Sequence, residues 1–418
     1  MNKLIVISLD ALGNIDEETY SKMPFLSKMI KKGSWIKNLK TIYPTVTYPI
    51  HTSMITGVRP IDHGVDNNLL LQPEKLAMDW FWDYKYVKVD SIFTAAKRKG
   101  LKIASFSWPV TVNADIDYNF PEIGNTYGME FAEYVSSQSD SNYIRELFQN
   151  FGEVDPDQQP GYDEFLARSA AYTFNKYNPD LLFLHLINID SKKHVYGSKH
   201  LAVDYAIKDL DARLERFFQE ISKENNLDDI NVVFISDHSQ IDVFKSIKIN
   251  KILEDMDLLE ANEDGSTKDY KAFFLTNGGS AALYLKDKDD KETLEKIINK
   301  LKELNIEEVE KIIYKDEIEK LGASKDAVLW LEAKEGYIFD SQLGENLISK
   351  NNTKNHGNHG YLPDKNNYDA IAICVGPNFK EDTILEKESI LNIAGTINKV
   401  MDLELESKNK NYIKEIIK

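Results

Sequence analysis

The chain has 418 residues, a formal charge of −17, 42% hydrophobic and 11% aromatic residues. That balance excludes disordered, collagenous and low-complexity classes, and the length suffices for two or three domains of about 150 residues each. The acidic excess argues against a broad contact with nucleic-acid phosphates, whereas a small phosphorylated substrate stays compatible wherever bound metal ions make a site locally positive.

The first element is read in MNKLIVISLDALG. Its apolar stretch of about five residues ends at Asp10 without a small-residue cleavage pattern, so it reads as a strand over residues 3–9 rather than a secretory leader, and the cytoplasm is the expected location. Further strands are predicted over 101–108, 181–187, 231–236 and 370–376, short β-branched runs suited to strands covered on both faces. Amphipathic helices alternate with them. One spans 162–177, and another carries Val203, Ile207, Leu210, Leu214, Phe217 and Ile221 on one face. The alternation predicts a doubly wound α/β core with a mostly parallel sheet. Residues 110–160, rich in Asn, Asp, Ser, Gly and Tyr, read as loop elaboration. Residues 240–350 are Lys/Glu-rich with their own helix over 290–304 and strand over 282–285, and read as an inserted cap on a core made of 1–239 and 351–418. The charged tail after Leu405 reads as a surface helix. Cys374, the single cysteine, lies in AIAICVG and reads as a buried apolar residue. No run of 18 apolar residues exists, so no membrane span is expected.

Chemistry gathers where strands end. Asp10, Asp190 and Asp237 each follow a predicted strand, and ligands of open α/β sheets collect beyond such carboxyl ends. His194 follows Asp190 by four residues, His238 follows Asp237 directly, and KNHGNHGY adds His356 and His359. Carboxylates mixed with imidazoles suit zinc or another first-row divalent ion. Each piece has a plain structural alternative. Strand-ending aspartates cap helices or form turns, and glycine-flanked histidines occur in turns. The joint pattern favours metal. Pro44-Thr-Val-Thr-Tyr-Pro-Ile-His51 and the threonine after it then hold three candidate hydroxyls, at Thr45, Thr47 and Thr52.

Taken in order, these motifs resemble the type I phosphodiesterase/nucleotide pyrophosphatase branch of the alkaline phosphatase superfamily. The resemblance runs through Asp10, T-Y-P-x-H at Thr47, T-G-x-x-P-x-x-H-G ending at Gly64, FTAAKRKGLKIASFSWPV, D-S-x-x-H at Asp190, S-D-H at Ser236 and H-G-Y at His359. It implies an alkaline-phosphatase-like fold and two divalent metal ions, zinc by family habit, with manganese compatible. One ion would be held by Asp190, His194 and His359, the other by Asp10, Asp237, His238 and the Thr47 hydroxyl. A metal-bound hydroxyl loses its proton more readily and needs no histidine base. The implied reaction is hydrolysis of phosphodiester or phosphoanhydride bonds through a phosphothreonine on Thr47. After His63 the chain reads GVDNN, and Asn68 matches the asparagine that donates to a non-bridging oxygen in the diesterase branch; Asn67 is adjacent. A neutral amide in place of an arginine clamp tilts the reading towards a diester. Tyr48 matches a position on which family members stack a base, and core packing is its alternative. Trp80, Phe81 and Trp82 read as an apolar anchor or pocket wall. His51, His63 and His185 read as packing or supporting residues, His200 as surface, Arg59 as structural, and His356 as a substitute for or neighbour of His359. The segment SDHSQ departs from the family's usual S-D-H-G-M. The expected partner is a small, nucleotide-like phosphorylated substrate, with no nucleic-acid polymer and no membrane. Phosphonate hydrolysis, monoester hydrolysis and a non-catalytic nucleotide-binding protein are the alternatives.

Overall fold

A computed structural model describes residues 3–124, 126–343, 346–350 and 355–418. The expected join of cap and core at 350/351 touches 351–354, which lie outside the described residues. Six strands precede the expected insertion: β1 (Lys3–Leu9), β2 (Ser34–Lys40), β3 (Ile103–Phe106), β4 (Tyr118–Phe120), β5 (Leu181–Leu186) and β6 (Ile230–Ile235). Four more lie between residues 272 and 333: β7 (Ala272–Thr276), β8 (Ser280–Leu285), β9 (Val309–Tyr314) and β10 (Leu329–Ala333). The last three are β11 (Ala370–Val375), β12 (Thr383–Leu385) and β13 (Glu388–Ser389).

The main sheet runs β12-β2-β11-β6-β1-β5-β3-β4, with β13 also on β2. Every pairing in it is parallel except those of β11, which is antiparallel to both β2 and β6. Side chains alternate across β1, as the two-residue strand period requires. Ile5, Ile7 and Leu9 face a layer that holds Leu26, Phe165, Leu166, Leu210 and Phe217. Leu4 and Val6 face the opposite layer with Ile50, Met54, Ile393 and Ile397. Helices therefore cover both faces, which is why the strands read as continuous apolar runs. The covering helices used below are α1 (Thr47–Thr56), α2 (Ser141–Phe151), α3 (Gly161–Tyr177), α4 (Asn188–Tyr196) and α5 (Leu201–Ile221).

Strands β7 to β10 form a separate antiparallel sheet ordered β7-β8-β10-β9. Its core includes Tyr43, Tyr361 and Tyr368 from outside residues 240–350, so segments that flank strands of the main sheet pack into it.

Two expectations are corrected. Residues 110–160 hold β4, a helix over Phe131–Ser137 and α2, rather than loop alone. In α2 only Tyr143, Ile144 and Leu147 are buried, so polar surface residues hide a narrow apolar stripe. The tail after Leu405 is irregular, with one short 3-10 turn at Lys414–Ile416. Its Asn and Ser side chains bond nearby backbone, as in Asn411 N–H to Asn409 Oδ1 at 3.0 Å, which competes with helix formation.

Candidate active site

Because β6, β1 and β5 are neighbours in parallel register, their carboxyl ends open on one edge of the sheet. Asp10 follows β1, Asp237 follows β6, and Asp190 lies in the first turn of α4 just after β5. The sheet thus brings together three carboxylates that are 180 and 47 residues apart in sequence.

Each aspartate has one oxygen tied by the protein. Asp237 Oδ1 accepts the backbone N–H groups of His238 at 2.9 Å and Ala11 at 3.2 Å. Asp10 Oδ2 lies 3.1 Å from His185 Nε2. Asp190 Oδ1 accepts from Gln240 Nε2 at 2.5 Å. The other oxygens face inward. Asp237 Oδ2 is 3.2 Å and Asp10 Oδ1 3.6 Å from His238 Nε2, and Asp190 Oδ2 is 3.3 Å from His194 Nε2. The His238 and His359 rings stack with centroids 4.1 Å apart, and His194 meets His359 edge-on at 5.2 Å. His194 Nδ1 is 2.8 Å from the Gly357 carbonyl, which fixes its ring and leaves Nε2 facing Asp190.

Two groups could each hold an ion, their ligand atoms all within 4.8 Å of one another: Asp10, Asp237 and His238, and Asp190, His238 and His359. Four buried atoms here, Asp10 Oδ1, Asp237 Oδ2, His238 Nδ1 and His359 Nδ1, have no hydrogen-bond partner among the described residues. Burial raises the pKa of Asp10 well above the carboxylate range, and the charges of Asp237 and Asp190 push it further. Burial likewise pulls His238 down to about 3 and His359 well below its ordinary value. Crowded carboxylates beside neutral imidazoles are the donor set of a divalent cation, so the residues fit metal ions.

Thr47 is the first residue of α1, whose ten residues are all buried. Its Oγ1 lies 3.3 Å from His238 Nε2, at the Asp10/Asp237/His238 group. Val46 before it is extended and offers no side-chain cap. Asn68 serves instead: its Oδ1 accepts the Tyr48 N–H at 2.9 Å, so its amide Nδ2 is left to donate elsewhere. Asn67 Oδ1 accepts from Leu69 N–H within its own loop. Thr45 is turned away, its hydroxyl on the Tyr361 carbonyl at 2.8 Å and on Tyr368 at 2.7 Å, and Thr52 donates to the Tyr48 carbonyl.

Tyr48 is fully buried; its ring meets Trp80 edge-on at 5.3 Å and its hydroxyl reaches Glu122 at 3.3 Å. His51, itself in α1, is held by the Thr47 carbonyl and by Ser8 Oγ, both at 2.8 Å, and so ties the helix to β1. His63 is buried against Ser53, and His200 caps α5. His356 is exposed, while its backbone N–H donates to the His194 carbonyl at 2.6 Å. Arg59 donates to the Lys320 carbonyl, away from the carboxylates.

Three residues at the site had no motif to mark them. Gln240 ties Asp190, while His185 links Asp10 to Glu122, each at 3.1 Å. Burial opposes charge on His185, but both ring nitrogens face carboxylates, and these hold its pKa well above the ordinary value.

Among the described residues, no helix is long and apolar enough to cross a membrane. Human ectonucleotide pyrophosphatase/phosphodiesterase family member 1 is 28% identical over 251 residues, which is 56% of this chain and 23% of that protein. The chain therefore matches less than a quarter of that relative's length. Human family member 7 is 21% identical over 393 residues, covering 91% of this chain and 75% of that one. The solved structure of murine ectonucleotide pyrophosphatase/phosphodiesterase 5, an inactive variant in complex with AMP, shares the fold over the whole of both chains, with a TM-score of 0.70 and 17% identity. Residues 4–362, from the first strand to the segment that carries His359, match the type I phosphodiesterase/nucleotide pyrophosphatase family, and the chain belongs to it.

Proposed function

We propose that the chain is a metal-dependent phosphodiesterase or nucleotide pyrophosphatase that cleaves small, nucleotide-like substrates through Thr47. The observation that carries this reading is Thr47 Oγ1 at the start of a buried helix, 3.3 Å from His238 Nε2 and beside the Asp/His groups. Family membership and the AMP complex of the structural relative support the substrate class.

Asp10, Asp237, His238 and Thr47 would hold one ion, and Asp190, His194 and His359 the other, zinc being the first candidate and manganese the second. Bound there, the ions would lower the pKa of the Thr47 hydroxyl, neutralise phosphoryl charge and activate water. The chain's own residues do the rest. Thr47 Oγ1 gives up its proton to solvent and forms a bond to phosphorus as the bond to the leaving oxygen breaks. That oxygen leaves with a proton from solvent, and the other arm stays on phosphorus in a phosphodiester of Thr47, which water then hydrolyses to the free phosphomonoester. Asn68 Nδ2 donates to a non-bridging oxygen, its orientation set by the Tyr48 N–H on Oδ1. An amide donor, with Arg59 engaged on the Lys320 carbonyl instead, suits a singly charged diester better than a dianionic monoester. Tyr48, fully buried with Trp80 edge-on to its ring, is packed as its core alternative has it and offers no open face to a base in this structure.

The test compares hydrolysis of a nucleotidyl p-nitrophenyl diester with that of p-nitrophenyl phosphate, using zinc-loaded protein and Thr47→Ala. The expected result is faster diester cleavage that disappears in the variant. Faster monoester cleavage, or full activity in Thr47→Ala, would overturn the reading.

A further inference from the structure

Each of the three aspartates keeps one oxygen turned into the site because the other is tied. The ties differ in kind. Asp237 is held by backbone N–H groups, which no substitution easily removes, and Asp10 by a histidine. Asp190 depends on a neutral amide, that of Gln240. This side chain is 1% exposed; its Nε2 donates to Asp190 Oδ1 at 2.5 Å and to the Asp190 carbonyl at 3.2 Å. Its own Oε1 is buried without a hydrogen-bond partner among the described residues. The two Asp190 acceptors fix the orientation of the amide: turned over, Oε1 would face two oxygens of Asp190 and both donor contacts would be lost.

The space behind Asp190 is shaped for this amide. A Cβ on Gly357 would stand 2.8 Å from Gln240 Oε1 and 2.5 Å from the Lys193 carbonyl, so a side chain there would displace the amide. The Gly357 carbonyl in turn lies 2.8 Å from His194 Nδ1. The Gln240 backbone carbonyl accepts from the buried Ser198 hydroxyl at 2.8 Å, anchoring the residue from its other end. Gln240 and Gly357 therefore form one support behind Asp190 and His194.

We propose that Gln240 is a positioning residue for the Asp190–His194 side of the site. Its amide holds Asp190 Oδ1 back, so that the carboxylate engages a cation through Oδ2 alone, on the side where His194 Nε2 lies. This rests on the metal reading given above. Groups that orient metal ligands from behind typically contribute 10–100-fold in metal affinity, and loss of the tie frees the carboxylate to rotate out of position.

The test uses the full chain stripped of metal, titrated with zinc against a chromophoric chelator, together with the melting temperature of the metal-free protein. Gln240→Met keeps the length of the side chain and removes the donor. One of two zinc affinities is expected to weaken 10–100-fold, the same one that Asp190→Asn abolishes, while the metal-free melting temperature holds. Gln240→Asn, one methylene too short to reach Asp190, is expected to act alike and serves if the methionine variant fails to fold. Unchanged zinc affinities would overturn the proposal. So would equal weakening of both sites with a lower metal-free melting temperature, which would mark Gln240 as packing. A parent protein that binds no zinc would overturn the metal reading itself, and the role of Gln240 with it.

Discussion

Asp10 carries the heaviest electrostatic load of any residue at the site. It is 3% exposed, lies close to two other carboxylates, and is answered within hydrogen-bond reach by His185 alone among the described side chains. His185 stands between Asp10 and Glu122, so removing it leaves two carboxylates without their shared partner. Breaking a buried pair in this way costs about 3–5 kcal/mol. His185→Leu is therefore expected to lower the melting temperature of metal-free protein markedly. Saturating zinc should restore most of the difference, because the ion takes over the charge of Asp10 and stabilises the fold by mass action. Calorimetry with chelator and with zinc checks both halves; an unchanged melting temperature in chelator would show that the pair does not stabilise the fold. The ligand candidates could be read from sequence because Asp and His at strand ends have a local signature. His185 could be read as a packing or supporting residue, as it is, but neither its partners nor any role for Gln240 could be. The His185–Asp10 contact joins residues 175 apart and the Gln240–Asp190 contact residues 50 apart, with no spacing rule to announce either.

At the scale of elements, the start of α1 decides how the site works. A helix N-terminus has free N–H groups and partial positive charge, both suited to a phosphate. Asn68 occupies one of these groups from another loop, its Oδ1 accepting from the N–H of Tyr48, the residue after the proposed nucleophile. Asn68→Ala should reduce kcat/KM for a diester by about 10²–10³, the usual loss on removing one donor to transition-state charge, with zinc content unchanged. Asn68→Asp keeps the acceptor for Tyr48 N–H but turns a negative oxygen towards the phosphate, so it should lose at least as much. Near-normal turnover in the aspartate variant would mean that Asn68 only caps the helix. Element boundaries were legible where runs were continuously apolar: the strand expected over 3–9 is Lys3–Leu9, and that over 370–376 is Ala370–Val375. They were illegible where charged and amide residues interrupt the apolar run. SWIKNLK in β2 mixes charged and apolar residues and gives no clean strand signal, although it pairs with β11, β12 and β13.

Across the whole molecule, alternation of strands and helices carried the doubly wound core, but the junction of β10 with the segments that flank that core carried no pattern at all. The junction centres on Glu332, a fully buried residue of β10. Its carboxyl group meets the Tyr43 hydroxyl at 3.1 Å, the Leu362 N–H at 2.7 Å and Lys365 Nζ at 3.6 Å. Burial raises its pKa to about 8, against the lowering effects of Leu362, Lys365 and Tyr43. An unfolded glutamate releases its proton near pH 4.3. The folded pKa is thus the higher one, so this group's contribution to stability is fully present below about pH 4 and is lost as pH rises towards 8. The slope is at most about 1.4 kcal/mol per pH unit, and neighbouring groups blunt it. Glu332→Gln removes the titration while keeping the shape. Between pH 6 and 9 the parent protein should therefore lose more stability than the variant, and the gap should open mainly below pH 8, where the folded carboxyl group still holds its proton. Melting curves of both proteins across that range measure the difference directly. Parallel curves would show that Glu332 is already ionised in the fold, held by Lys365 as a buried ion pair, and that this junction is held by charge rather than by a neutral carboxylic acid.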